Sequence, residues 1–191
     1  MNFIDYWDKQ FIIFIHQNQW FEPQIFWYFV SQKYLWYLFV AIVFFKMKNH
    51  HWKDAFFILL VFGICILLTD RISSGIFKPL FQRLRPCHQQ EVKVYLVSFE
   101  GYCGGPYGFV SSHAANIFGW STLYILLFKP SKPERILIFF MAALIAISRV
   151  MLGVHFFTDI LVGSCIGIII GYGVFLGYKK YLRSVTSNLI T

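Results

Sequence analysis

The sequence predicts an all-α protein, a polytopic transmembrane helical bundle of five to six spans with short N-terminal interfacial helices. Two observations predict it. Hydrophobic residues make up 58% of the chain, giving a mean hydropathy of +0.58, and the apolar residues gather into runs long enough to cross a bilayer. A soluble domain rarely carries so much apolar side chain, and a hydrocarbon core of ~30 Å takes ~20 helical residues to cross. The chain reads as a single domain, 1–191.

Residues 3–30 mix aromatic and aliphatic side chains with Asp5, Asp8, Lys9, His16 and Glu22. That mixture suits helices lying in the membrane interface or dipping into it, so 1–33 is expected to be interfacial or re-entrant. The run 34–47 is short, and extending it back to Gln24 would place Ser31, Gln32 and Lys33 at membrane depth. A charge there is costly, so a bend or an interfacial position is expected. Four longer runs follow, at roughly 54–76, 111–129, 134–154 and 156–178. The N-terminus lacks a basic n-region and a small-residue cleavage site, so the apolar segments are expected to direct insertion.

The net charge of +8 is spread between these runs and forms no single basic face, which argues against nucleic acid as a partner and for membrane lipids. Lys46, Lys48 and Lys53, then Lys129, Lys132 and Arg135, then Lys179, Lys180 and Arg183 fall on one side if five segments cross. Cations accumulate on the cytoplasmic side, so the loop 77–110 and the turn near His155 are expected on the extracytoplasmic side. That loop holds Lys78, Arg83, Arg85 and Lys93 against the charge bias. Anchoring to lipid phosphates accounts for one or two of them.

Three short motifs lie at that face. In Lys78-Pro-Leu-Phe-Gln-Arg-Leu-Arg85-Pro86, a helix beginning at Pro79 would put Lys78 and Arg85 near one face about two turns apart, able to hold one dianion. In Val110-Ser111-Ser112-His113, either serine can cap the following helix, whose free N–H groups favour an anion. Between the last two runs, Ser148-Arg149 is followed by His155 and Asp159. At a spacing of four, the carboxylate reaches one imidazole nitrogen and leaves the other aimed outward. Each motif alone has a plain structural reading: a solvated basic cluster, a helix cap, a His–Asp staple. Two histidines and an aspartate could also hold a metal, but three converging cations would repel a divalent ion while supplying its electrostatic work.

Taken in order, K-x6-R-P, S-x-H and S-R-x5-H-x3-D resemble the tripartite signature of the type 2 phosphatidic-acid phosphatases (PAP2), which share their site with vanadium haloperoxidases. The resemblance covers residues 78–159, with Val110 and Ser112 standing where the family usually has proline and glycine. It implies that His155 is the nucleophile forming a phosphohistidine, that Asp159 fixes its tautomer, and that His113 is the general acid and base. It implies further that Lys78, Arg85, Arg149, Ser111 and Ser112 bind the phosphate, with no metal and no cofactor. The implied function is hydrolysis of a lipid phosphate or diphosphate at the outer face of a bacterial cytoplasmic membrane. Undecaprenyl diphosphate and phosphatidylglycerol phosphate lead the candidates, beside phosphatidic acid and a lipid A phosphate. A non-catalytic lipid-phosphate binder or transporter, and a haloperoxidase-like enzyme, are the alternatives.

Three further readings complete the sequence. Asp70 and Arg71 are too polar for lipid contact and read as supporting or helix-pairing residues. Gly163, Gly167, Gly171, Gly173 and Gly177 favour close helix packing, internal in preference to a homodimer interface. Cys87 and Cys103 both lie in the outer loop, where an oxidising compartment would pair them, whereas Cys65 and Cys165 fall inside spans. A Cys87–Cys103 disulfide is predicted.

Overall fold

A computed structural model describes residues 3–18, 24–48, 51–97 and 102–188. Helices α1 (Phe3–Gln17) and α2 (Gln24–Ser31) precede α3 (Lys33–Met47) and α4 (Trp52–Asp70). A π-helical stretch, Arg71–Phe77, leads into the short α5 (Lys78–Phe81), and a further short helix, α6 (Gln90–Lys93), lies in the following loop. The chain ends with α7 (Ser112–Phe128), α8 (Lys132–Met151) and α9 (Phe157–Asn188). Glu22, part of the N-terminal expectation, lies outside the described residues.

Two helices among the described residues are long and apolar enough to cross a membrane: Trp52–Phe81, with mean hydropathy 2.3, and Phe157–Arg183, with 2.2. The pair α2–α3 would make a third, bent by 41°. The break falls at the polar triplet Ser31, Gln32 and Lys33, where the sequence predicts it. The predicted runs 111–129 and 134–154 are both helical, but α7 has only 17 residues and α8 carries Lys132, Glu134, Arg135 and Arg149.

Helix α7 sits at the centre, with ten residues from Ser112 to Tyr124 buried. Small residues let α9 approach it closely. A Cβ at Gly163 would come within 2.7 Å of the Ser111 carbonyl oxygen, and at Gly167 and Gly171 it would run into the Ala115 and Gly119 carbonyls. Gly173 and Gly177 have open space instead and line a groove of about 500 Å³ between α4 and α9. The predicted glycine face therefore divides, its first three members setting the α7–α9 separation. One apolar cluster, including Phe39, Phe62, Trp120, Tyr124 and Ile145, fills the bundle away from the site. A second, including Ile12, Val92, Val150, Phe156 and Ile160, seats α1 over the α8–α9 turn. Gly153 makes that turn at φ +67°, a conformation side chains disfavour.

One local expectation is corrected. Lys78 and Arg85 do not share a helix, because α5 ends at Gln82 in the left-handed region, φ 46°. The chain then runs extended, with Leu84 bridged to Tyr107. Pro86 and the pairing of the Arg85 N–H with the Pro106 carbonyl (2.9 Å) hold Arg85 out of any helical continuation.

The α7–α9 contact generates a prediction. Gly167→Ala forces backbone apart in a packed helix pair, a cost of ~1–3 kcal/mol, whereas Gly173→Ala meets open space. Thermal unfolding in detergent should show a lowered Tm for Gly167→Ala and none of that loss for Gly173→Ala.

Candidate active site

Four segments converge at one end of the bundle: the end of α4–α5, the loop running through Arg85 and Gly108, the N-terminus of α7, and the turn into α9. Each is held there by a local device. The π-helical stretch, in which the Lys78 N–H bonds the Ser73 carbonyl five residues back, changes the helix register just before Lys78. Lys78 Nζ then donates to Ser112 Oγ at 3.1 Å and to Ser74 Oγ at 3.4 Å, and the two serine oxygens lie 2.9 Å apart. Ser111 caps α7 through Oγ, accepting from the Ala114 N–H at 3.5 Å, and its own N–H donates to the Asp159 carbonyl at 3.1 Å. At the head of α9, Asp159 Oδ2 accepts from the Phe156 N–H at 3.0 Å.

His155 is 1% exposed, just before α9 and not within it. Its Nε2 lies 2.9 Å from Arg85 Nη1. A guanidinium can only donate, so Nε2 is the acceptor and the ring proton sits on Nδ1. Nδ1 faces Asp159 Oδ2 at 3.4 Å, beside the Gly108 main chain. A Cβ at Gly108 would stand 3.1 Å from Asp159 Oδ2 and 3.2 Å from Arg85 Cγ, so a larger residue would have to displace both side chains by a few tenths of an ångström. Burial, then the charges of Arg85, Arg149 and Lys78, push the His155 imidazolium well below its ordinary range. The ring is therefore neutral at pH 7, with its lone pair on Nε2.

Arg85 is held on three sides: Nε donates to Gly105 O at 2.7 Å and Nη1 to Val154 O at 3.0 Å as well as to His155. Burial, then Arg149, lower it to about 10, which leaves it charged. Arg149, 5% exposed, donates through Nη1 to Tyr102 Oη at 3.1 Å and to Ser31 Oγ. Its Nε is buried with no hydrogen-bond partner among the described residues. An unmatched buried donor of this kind costs free energy unless a ligand meets it. His113 stands in the electrostatic field of Arg149, His155, Lys78 and Arg85. A cleft of about 390 Å³ lined by Ser74, Lys78, Gln82, Arg85, Gly105 and Tyr107 opens beside this cage.

The fold thus assembles Lys78, Arg85, Ser111, Ser112, His113, Arg149, His155 and Asp159 in one region. Asp70 lies one turn behind, where its Oδ1 accepts from Ser74 Oγ at 3.5 Å. Sequence reasoning missed Tyr102 and Ser31, which steady Arg149, and gave Arg83 and Asp8 no role. Arg83 Nη1 donates to Asp159 Oδ1 at 2.8 Å, and Nη2 to Asp8 Oδ2 at 2.8 Å. The available signal was Asp8 itself, a carboxylate on an aromatic-rich helix. Cys87 and Cys103 are joined as a disulfide, Cα–Cα 6.0 Å. With His88 they form the metal-spaced cluster found among the described residues, but their sulfurs are consumed by the bond.

Comparison with known proteins gives one consistent picture. The PAP2 superfamily profile matches residues 55–183. A lipid A 4'-phosphatase of Porphyromonas gingivalis is 37% identical over 158 residues, which are 82% of this chain and 65% of that protein. A lipid A 4'-phosphatase of Bacteroides thetaiotaomicron is 34% identical over 161 residues, 80% of this chain and 69% of that one. The chain thus spans about two thirds of the length of these relatives. The crystal structure of a transmembrane PAP2 type phosphatidylglycerolphosphate phosphatase from Bacillus subtilis superposes with a TM-score of 0.67 at 23% identity, covering 95% of this chain and 88% of that one.

The disulfide ties the segment after Arg85 to the one holding Gly105. A loop of this length, with a sequence separation of 16, contributes ~3 kcal/mol in the chain-entropy model. Protein purified from an oxidising compartment should show Cys87 and Cys103 protected from alkylation until reduced. The double Cys→Ser variant should unfold at lower temperature, and alkylation of both thiols without reductant would refute the bond.

Proposed function

The chain belongs to the PAP2 superfamily, and on that premise we propose that it is an integral membrane phosphatase hydrolysing the phosphate of a lipid. One observation carries the reading: a buried, neutral His155 whose Nε2 lone pair faces Arg85, within a cage completed by Lys78 and Arg149. Binding an anion requires the cations alone. An imidazole held in one tautomer against a carboxylate is the preparation a nucleophile needs, and this favours an enzyme over a binder or transporter.

In the first step His155 Nε2 attacks phosphorus, the bond from phosphorus to the lipid oxygen breaks, and His113 protonates that leaving oxygen. Lys78, Arg85, the Nε of Arg149 and the N-terminal amides of α7 hold the equatorial oxygens as charge redistributes. Asp159 stabilises the imidazolium formed. In the second step His113 takes a proton from water, the water oxygen bonds to phosphorus, and the P–N bond breaks, its electron pair returning to Nε2. Inorganic phosphate leaves. Positioning and preorganised charge supply the catalysis, and no metal is assigned a role.

Lys78 and Pro79 line the cleft beside the cage, and their chain neighbours Ile76, Leu80 and Phe81 are exposed, an apolar helix end that supports a lipid substrate over a peroxide and halide. Two relatives named as lipid A 4'-phosphatases support a lipid A phosphate as the substrate proposed first, ahead of the undecaprenyl diphosphate and phosphatidylglycerol phosphate the sequence brought forward. In the proposed topology α3, α4–α5, α7, α8 and α9 cross the bacterial cytoplasmic membrane, and the site faces outward.

Two expectations test this reading. His155→Ala should abolish phosphate release from a lipid A, phosphatidylglycerol phosphate or undecaprenyl diphosphate panel, vanadate should inhibit the wild type as a mimic of pentacoordinate phosphorus, and EDTA should leave turnover intact. Loss in EDTA restored by a divalent ion would sink the metal-free mechanism. For sidedness, in a background lacking the native cysteines, Lys93→Cys should react with an impermeant thiol reagent added outside intact cells, and Lys132→Cys should not. The reverse pattern would move the site to the cytoplasm.

A further inference from the structure

We propose that Arg83 is a positioning residue for phosphoryl transfer: bridging Asp5 and Asp8 of α1 to Asp159, it fixes the carboxylate that orients His155. The proposal rests on the reading of the chain as a phosphatase. Asp159 is fully buried, and a buried carboxylate demands a compensating charge. His155 is not that charge, since its ring is neutral and its Nδ1 lies 3.4 Å from Oδ2. The compensating charge is Arg83, 2.8 Å from Oδ1.

The guanidinium uses both forks. Nη1 donates to Asp159 and, at 2.9 Å, to Thr158 Oγ1; Nη2 donates to Asp8 at 2.8 Å and Asp5 at 3.2 Å. Its face lies over the Phe156 ring, 4.4 Å from the centroid. Asp8 in turn accepts from the Thr158 N–H at 3.1 Å and from the Thr158 hydroxyl, so the first turn of α9 and Arg83 share one acidic anchor. The anchor is itself fixed. On α1, Ile12 is buried, His16 Nε2 lies 3.2 Å from the Val150 carbonyl, and His16 Nδ1 accepts from the Val97 N–H at 3.2 Å.

The extended Arg83-Leu84-Arg85 segment therefore grips the catalytic histidine from both sides. Arg83 acts through Asp159 on the Nδ1 side, and Arg85 bonds Nε2 directly. Carboxylates gather behind Nδ1 and cations in front of Nε2, a field that favours the Nδ1–H tautomer with its lone pair facing the phosphate. The N-terminal helix, remote in sequence from every motif, becomes part of the device that prepares the nucleophile.

The test uses full-length protein in detergent and the variants Arg83→Gln, Arg83→Lys and Asp8→Asn. Arg83→Gln should lower kcat on the order of 100-fold, as small misplacements of a catalytic group do. KM should hold within about twofold, because binding rests on the other cations. Vanadate affinity should weaken in step with kcat/KM while inhibition by inorganic phosphate is unchanged, and Arg83→Lys should recover part of kcat. A readout independent of turnover is the 15N spectrum of the His155 ring: a single Nδ1–H tautomer in the wild type, mixed or protonated in Arg83→Gln. If Arg83→Gln does not fold, Asp8→Asn and Arg83→Lys decide by the same measures. Folded variants with wild-type kcat and an unchanged ring spectrum would overturn the proposal. A wild-type protein that hydrolyses no lipid phosphate overturns the phosphatase reading instead, so the two failures are separable.

Discussion

The structure depends on one buried carboxylate. Asp159 is fully buried, and three segments meet at it: Arg83 from the loop after α5, the Phe156 N–H and His155 from the α8–α9 turn, and the Ser111 N–H, which meets its main-chain carbonyl at the head of α7. Removing any one partner leaves charge or a donor unmatched in a poorly solvated place, where such groups cost most. This interaction therefore fixes the histidine and the cationic loop relative to the heads of α7 and α9.

The cations pull the other way. Lys78, Arg85 and Arg149 converge where their mutual repulsion is weakly screened, and Arg85 is lowered to about 10 by burial and Arg149. They are kept in place by directional bonds: Gly105 and Val154 carbonyls for Arg85, Tyr102 and Ser31 for Arg149, Ser74 and Ser112 for Lys78. Such a cage is strained without an anion and relieved by one, which is how electrostatic preorganisation favours a charged transition state. The disulfide and the Leu84–Tyr107 bridge brace the same loop against that repulsion.

Much of this was legible in the sequence, and what was not has a physical reason. His155 and Asp159 announce themselves because a spacing of four places them side by side, and Ser111 because a hydroxyl before an apolar run caps a helix. The break at Ser31–Lys33 followed from polar residues at membrane depth. The joint helix of Lys78 and Arg85 failed because a left-handed Gln82 and the pairing of residues 84 and 107 outweighed local periodicity. Arg83, Asp8, Tyr102 and Ser31 escaped because their partners lie tens of residues away, and no one-dimensional spacing encodes a contact made only after the bundle has formed. The number of spans was read from apolar runs, yet α7 is enclosed by protein for most of its length, so its composition reports helix packing as much as lipid.

That enclosure connects the fold to the chemistry. Gly163, Gly167 and Gly171 set the distance between α9 and α7 by backbone contact, with no side chain able to adjust. Because α7 begins at the capping serine and α9 carries Asp159 in its first turn, the same spacing decides whether the Ser111 N–H reaches the Asp159 carbonyl. Helix packing in the membrane, driven by close van der Waals contact in place of the hydrophobic effect, is rigid where small residues meet. A site built at the ends of two such helices inherits that rigidity, and the loop bearing Arg83 and Arg85 needs only to dock on a frame already fixed.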